Sequence, residues 1–135
     1  MAKTFVLEII TLRRTVYSGM VTSVIPSGTR GKFGVLARHA PMISSLETGA
    51  LKIREPGGKE VLAFVGKGFL MVEKDHVVIL PTQAEMASEI DTERARASME
   101  RAKKRLGGKS PDLDMSRAKA SLARALTRLK VADAS

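Results

Sequence analysis

The chain has no cysteine and no tryptophan among its 135 residues. Without cysteine there are no disulfide staples, thiolate zinc clusters, thiol nucleophiles or iron–sulfur centres. Aromatic residues make up only 4%, which is thin for a base-stacking nucleic-acid platform. There are two histidines, His39 and His76, and no metal-ligand spacing. No run of about 18 apolar residues occurs, so no helix is expected to span a membrane. The opening Met1-Ala2-Lys3-Thr4-Phe5-Val6-Leu7-Glu8 meets a carboxylate too early for a signal-peptide core. Against these absences stand 23 Lys and Arg, 14 Asp and Glu, a net charge of +9, and 44% apolar residues, enough for a real core. These bounds describe a soluble, basic, thiol-free protein.

The chain changes character near Pro81. Residues 1–84 hold 10 Val, 9 of the 11 Gly and 4 of the 5 Pro; residues 85–135 hold 10 Ala, one Val, 2 Gly and one Pro. Charge does not segregate, because 11 minus 6 gives +5 in the first part and 12 minus 8 gives +4 in the second. Valine punctuated by Gly and Pro predicts strands, over residues 3–10, 15–18, 20–26, 34–37, 41–46, 51–55, 60–65, 69–73 and 76–81. The loop at 56–59 and the pair Lys74-Asp75 predict hairpins. Alanine with charges predicts two helices of about 16 residues, roughly 24 Å each. The first runs from Asp91, an N-cap type, to Leu106, with Ala95, Met99, Ala102 and Leu106 as its stripe. Gly107-Gly108 ends it, and Ser110-Pro111 restarts a second helix to about Val131, with Ala118, Leu122, Ala125, Leu126 and Leu129 on its seam. The expected fold class is α+β: an all-β sandwich over 1–84 and an antiparallel two-helix hairpin over 85–135. An alanine seam buries little area, so the hairpin must lean on something.

Acid–base and nucleophile constellations are missing, which argues against an enzyme. His76 reads as a solvated hairpin residue, and His39 as a loop residue that serves structure or an interface, with structure favoured. Ser44-Ser45 has no base close in sequence. Gly107-Gly108-Lys109-Ser110 has the tail of a phosphate-binding loop, but position 103 is Lys and a helix precedes it, so the match is rejected. The hairpin arginines are more informative. Arg94, Arg101 and Arg105 stand at i, i+7, i+11, and Arg117, Arg124 and Arg128 repeat that spacing, so each set shares a helix face. Arg101, Arg105, Arg124 and Arg128 have no carboxylate three or four residues before them, a pattern that invites an anionic partner. The plainer account is a solvated basic face; its rivals are a phosphate-bearing ligand, an acidic protein segment and nucleic acid.

Several segments in order resemble one family. They are Thr15-Val16-Tyr17-Ser18-Gly19, Gly31-Lys32-Phe33-Gly34-Val35-Leu36-Ala37-Arg38-His39-Ala40-Pro41-Met42, Leu46-Glu47-Thr48-Gly49-Ala50-Leu51, Val65-Gly66-Lys67-Gly68-Phe69-Leu70 and Ile90-Asp91-Thr92-Glu93-Arg94-Ala95. Together they resemble the epsilon subunits of bacterial-type ATP synthases over essentially the whole chain. The resemblance implies a non-catalytic central-stalk subunit coupling rotation to ATP synthesis. Its sandwich would hold the gamma subunit and touch the c-ring, with His39 and Arg38 at that interface. Its hairpin would switch between a folded and an extended state. When extended, Arg105, Arg117, Arg124 and Arg128 would meet an acidic segment of the catalytic beta subunit, within the alpha and beta head, and block hydrolysis. The resemblance also implies ATP as a regulatory ligand of the folded hairpin, at Glu85, Asp91, Arg94, Arg101, Arg124 and Arg128. No catalytic cofactor and no metal are implied.

Three segments depart from the family pattern: Leu12-Arg13-Arg14, where a Pro-containing turn is common, Lys32-Phe33 in place of Glu-Leu, and Ala37-Arg38 in place of Pro-Gly. They make the sandwich rim more basic. The runner-up reading is a small polyanion- or nucleic-acid-binding module using the +9 charge. The missing aromatic platform and the even charge split weigh against it, and no nucleic-acid partner is expected. A missing transit sequence favours the cytoplasmic face of a bacterial plasma membrane, reached peripherally through the complex.

Overall fold

The computed structural model describes residues 3–28, 31–108 and 112–134. The first strand, β1 (Phe5–Ile10), sets the pattern for the sandwich. Phe5, Leu7 and Ile9 are buried and the residues between them only half so, the period-2 signature of a sheet with one face on a core. There are twelve strands among the described residues, and the alternation recurs in β8, β10 and β11.

Seven strands form one sheet. β2 (Thr15–Val21) lies at its edge beside β1, followed by β11 (His76–Pro81), β10 (Gly68–Glu73), β7 (Met42–Leu46), β4 (Ser27–Gly28) and β5 (Gly31–Lys32). β1 and β11 run parallel, and the other neighbours in this sheet are antiparallel. The second sheet has the order β12 (Ala84–Met86), β9 (Glu60–Val65), β8 (Gly49–Arg54), β3 (Ser23–Ile25) and β6 (Val35–Leu36). Leu7, Ile9, Leu70, Val72, Val77 and Ile79 from the first sheet meet Val24, Val35, Leu51, Ile53, Ala63 and Val65 from the second in one core. Tyr17 on β2 donates from its hydroxyl to Glu55 just beyond β8 at 2.8 Å, tying the two sheets at their rim.

The expected hairpins form. Gly57 and Gly58 sit at φ +94° and +92°, and Lys74 and Asp75 take φ 32° and 57° in the two-residue turn. At Gly68 a Cβ would lie 2.2 Å from the Leu80 carbonyl, so the β10–β11 register requires glycine there.

The structure differs from the sequence expectation in three places here. β2 runs unbroken through Gly19, which an edge strand tolerates. The β4–β5 pair and β12 have no separate hydrophobic signal; they are held by pairing, β12 along β9. The second helix is longer than expected. The expected restart at Ser110-Pro111 lies outside the described residues.

After β12 comes a 3-10 turn (Ala87–Glu89), then helices α1 (Thr92–Leu106) and α2 (Asp112–Ala134). Asp91 caps α1, its Oδ1 accepting from the Arg94 backbone N–H at 3.1 Å. Lys103, Lys104 and Arg105 complement the dipole at the far end. The 23 residues of α2 give it about two further turns over the expected length. Ala95 and Ala102 of α1 and Ala118, Ala125 and Val131 of α2 are buried, while Leu126 is exposed rather than on the seam. α1 packs on α2, and α2 packs on β8 and β9. The reason is visible at Phe64. It alternates with Ala63 and Val65, which face the sandwich core, so it points to the other side, yet it is fully buried. Arg128 of α2 covers it, with its guanidinium carbon 4.1 Å from the ring centroid.

Candidate functional site

Where the hairpin meets the edge of the sandwich, a cavity of about 720 Å³ opens. Three pieces of chain enclose it. The β1–β2 turn supplies Thr11, Leu12, Arg13 and Arg14. The link after β11 and the start of β12 supply Thr82, Gln83, Ala84 and Glu85. The hairpin supplies Asp91, Arg94, Ala95 and Ser98 from the first turns of α1, and Ser121, Arg124 and Arg128 from α2. Helical spacing explains both sets: 94, 95 and 98 share a face, as do 121, 124 and 128. The antiparallel connection then brings the start of α1 beside the later turns of α2.

Five of the six residues singled out for ATP by resemblance line this cavity: Glu85, Asp91, Arg94, Arg124 and Arg128. Arg101 does not. It lies two helical turns, about 10 Å, beyond Arg94 along the axis, and its Nη2 donates to Ser98 at 3.2 Å. Arg105 and Arg117 are exposed and also outside the cavity, towards the helix connection. The shared-face spacing thus divides: the sandwich end of each face enters the cavity and the other end faces solvent.

Five arginines and two carboxylates line the cavity, so it is strongly positive. Arg128 is the best anchored. Its Nε donates to Glu85 at 2.6 Å and its Nη2 to Gln83 at 2.8 Å, with the guanidinium stacked on Phe64. Side-chain exposures of 24% and 30% make the Arg128–Glu85 pair the most shielded ion pair in the described structure. Arginine carries five N–H donors, so these bonds do not exhaust it. Arg14 pairs with Glu89 at 2.8 Å. That bond, with a backbone N–H from Met86, holds the Glu89 carboxyl below its ordinary range against the opposing effect of partial burial. Arg13, Arg94 and Arg124 have no acidic side-chain partner among the described residues. Guanidinium groups without carboxylates, gathered over a concave surface, are suited to phosphate oxygens. Carboxylates at its rim suit the donors of a ribose or an adenine amine. Among the described residues no cluster of three His, Asp or Glu could hold a metal ion.

Sequence reasoning missed Gln83, Ser98, Ser121 and the β1–β2 turn as parts of this cavity. Arg13 and Arg14 carried a signal, as a basic departure from the family pattern, but nothing in the chain order places them beside α1.

The other expected sites lie elsewhere. Arg38 is exposed on the loop after β6, at φ 64°, a left-handed conformation that favours glycine; its backbone N–H donates to Asp75 at 2.8 Å, which helps hold it there. His39 Nδ1 lies 2.8 Å from the Ala40 carbonyl, a local contact. His76 is exposed at the β10–β11 turn, as expected, and its Nε2 lies 2.5 Å from Glu8 on β1. On the outer face of the seven-stranded sheet, Met20, Ile43, Phe69, Met71 and Leu80 are all exposed, and the register puts Phe69 beside Leu80 and Met71 beside Ile43.

Comparison with known proteins accounts for both halves. The family described as "ATP synthase, Delta/Epsilon chain, beta-sandwich domain" matches residues 4–87, and its "long alpha-helix domain" matches residues 88–133. The ATP synthase epsilon chain of Brevibacillus brevis is 47% identical over 125 residues, covering 93% of this chain and 95% of the relative. That of Pelotomaculum thermopropionicum is 49% identical over 130 residues, covering 96% of each. A chain in the Euglena gracilis mitochondrial ATP synthase (OSCP/F1/c-ring) superposes with a TM-score of 0.80 at 21% identity, over 97% of this chain and 80% of that one, which shows a shared fold. With a sandwich and a helical hairpin each matched along nearly their full lengths, the chain belongs to the epsilon-chain family of ATP synthases.

Proposed function

We propose that this epsilon chain is a non-catalytic central-stalk subunit that couples rotation to ATP synthesis and restrains ATP hydrolysis through its C-terminal helices, and that ATP is the ligand that stabilises the folded hairpin. The cavity carries the ligand reading. Glu85, Asp91, Arg94, Arg124 and Arg128 converge there from β12, the start of α1 and α2, although up to 43 residues separate them in the chain. Arginine forks bind the phosphates, and Glu85 and Asp91 accept from the base or sugar. A nucleotide so held touches both helices and the sandwich edge at once, so it binds the docked hairpin and not a departed one. Ligand binding of this kind favours the docked state by mass action.

The partners are the gamma subunit, the c-ring, and the alpha and beta subunits of the catalytic head, with the protein peripheral to the membrane at the cytoplasmic face of a bacterial plasma membrane. The apolar outer sheet face around Ile43, Phe69, Met71 and Leu80 supports a protein partner for the sandwich, since exposed apolar patches of this kind mark interaction sites. Among the described residues no helix is long and apolar enough to cross a membrane.

The test is calorimetric titration of the isolated protein with ATP, repeated on Arg94→Ala and Arg124→Ala. Saturable binding that both variants lose is the expected result. No heat at millimolar ATP overturns the ligand reading and assigns the arginines to a protein contact.

A further inference from the structure

Of the three guanidinium groups in the cavity with no acidic partner among the described residues, Arg94 and Arg124 come from the hairpin and Arg13 from the sandwich. The turn that carries Arg13 is firmly built. Thr11 Oγ1 accepts the backbone N–H groups of Arg13 and Arg14 at 3.3 Å each, and the Thr11 N–H donates to the Arg14 carbonyl at 2.9 Å. Arg14 then ties the turn to Glu89, which itself accepts the Met86 N–H at 3.0 Å. The backbone under Arg13 is thus fixed between β1 and the 3-10 turn before α1, while its guanidinium is left for something else. An exposed arginine on a flexible loop would carry no such meaning. Here the anchor, the cavity and the missing counter-charge coincide.

We propose that Arg13 is a phosphate-binding residue of the nucleotide site, contributed by the sandwich itself, so that the phosphate tail bridges the β1–β2 turn to both helices. This rests on the ATP reading above. Two unpaired helix arginines balance a monophosphate; a triphosphate tail carries about two more negative charges, and a third arginine is placed to meet one of them. The ligand would then fasten the hairpin to the sandwich directly, in addition to joining one helix to the other.

The experiment is ATP titration of the full chain and of Arg13→Ala, Arg13→Lys, Lys59→Ala and Arg94→Ala, with inorganic tripolyphosphate as a competing probe. Lys59 lies in the β8–β9 loop and does not line the cavity, so Lys59→Ala makes the same change in net charge elsewhere. Arg13→Ala is expected to weaken ATP about 10- to 100-fold and to weaken tripolyphosphate by a similar factor. Arg13→Lys is expected to fall between it and the unaltered chain, and Lys59→Ala to stay within about twofold. Thermal melts without nucleotide should superpose for all Arg13 variants, since the side chain is exposed and unpartnered. If Arg13→Ala binds ATP as the unaltered chain does while Arg94→Ala has lost it, the proposal is overturned and the ATP site stands. A loss for ATP without a loss for tripolyphosphate also overturns it, since Arg13 would then act away from the tail. No ATP binding by the unaltered chain overturns both.

Discussion

Leu7, Ile9, Leu51, Ile53, Leu70 and Ile79 are all fully shielded inside the sandwich, whereas the buried positions of the hairpin are Ala95, Ala102, Ala118, Ala125 and one valine, Val131. Full burial of a leucine or isoleucine is worth about 1.5–3 kcal/mol, and an alanine methyl much less. The sandwich therefore carries its own stability. The hairpin gains close helix approach from its alanines but little transfer energy, and its largest buried contact is Phe64, which belongs to β9. Half-buried Met99, Leu106, Leu122 and Leu129 add to this, as do polar contacts of Arg128 with Glu85 and Gln83 and of Arg14 with Glu89. Two parts of one chain are thus held by different forces, and the hairpin is the part held by fewer apolar contacts.

Removing the borrowed contact should break this relation first. Phe64→Ala is expected to cost roughly 3–5 kcal/mol, with the loss falling on the docking of α2. Hydrogen exchange should show α1 and α2 amides losing protection while those of β1, β10 and β11 keep theirs. A uniform loss across both parts would mean that they unfold as one unit. Ile79→Ala is the converse. It is expected to cost roughly 2–5 kcal/mol and to lower the denaturant midpoint for strand and helix probes alike, because the hairpin has nothing to lean on once the sandwich opens.

A smaller effect sharpens the comparison at the rim of the sandwich. Desolvation, and then the hydrogen bond to Glu55, push the Tyr17 phenol up to about 12. A group whose pKa is raised on folding contributes its stability below its unfolded value, near 10, and loses it as pH climbs towards the folded one. Stability should therefore fall between about pH 10 and 12 in the unaltered chain, and Tyr17→Phe should flatten that limb in pH-dependent melts. An unchanged limb would assign it to other groups.

Much of this was legible in the sequence. Valine punctuated by Gly and Pro marked β1, β8, β9, β10 and β11, Gly57-Gly58 and Lys74-Asp75 marked the β8–β9 and β10–β11 turns, and Asp91 marked the start of α1, because each signal is local and its cause lies within a few residues. The β4–β5 pair and β12 escaped notice because two- and three-residue strands have no periodicity to read. They exist because a neighbour offers free hydrogen-bonding groups. Leu126 was assigned to the seam because helical spacing gives a face, but which side of α2 meets α1 and which meets β9 is decided by Phe64 and Arg128, 64 residues apart.

By itself, the chain order determined the two compositions, the strand and helix types, the helix cap and the arginine-rich faces, since all of these follow from side-chain chemistry and short-range backbone preference. It also carried the family resemblance through the ordered segments from Thr15 to Ala95. Only the tertiary structure decided that Arg13 and Arg14 stand across a cavity from Arg94 and Arg124, that Arg128 is spent partly on Glu85, Gln83 and Phe64, and that Arg101, Arg105 and Arg117 fall outside. The physical reason is that a helix face specifies a direction but not a partner. The partner is set by how the docked hairpin buries its alanines and Phe64 together, and that packing is a property of the whole chain.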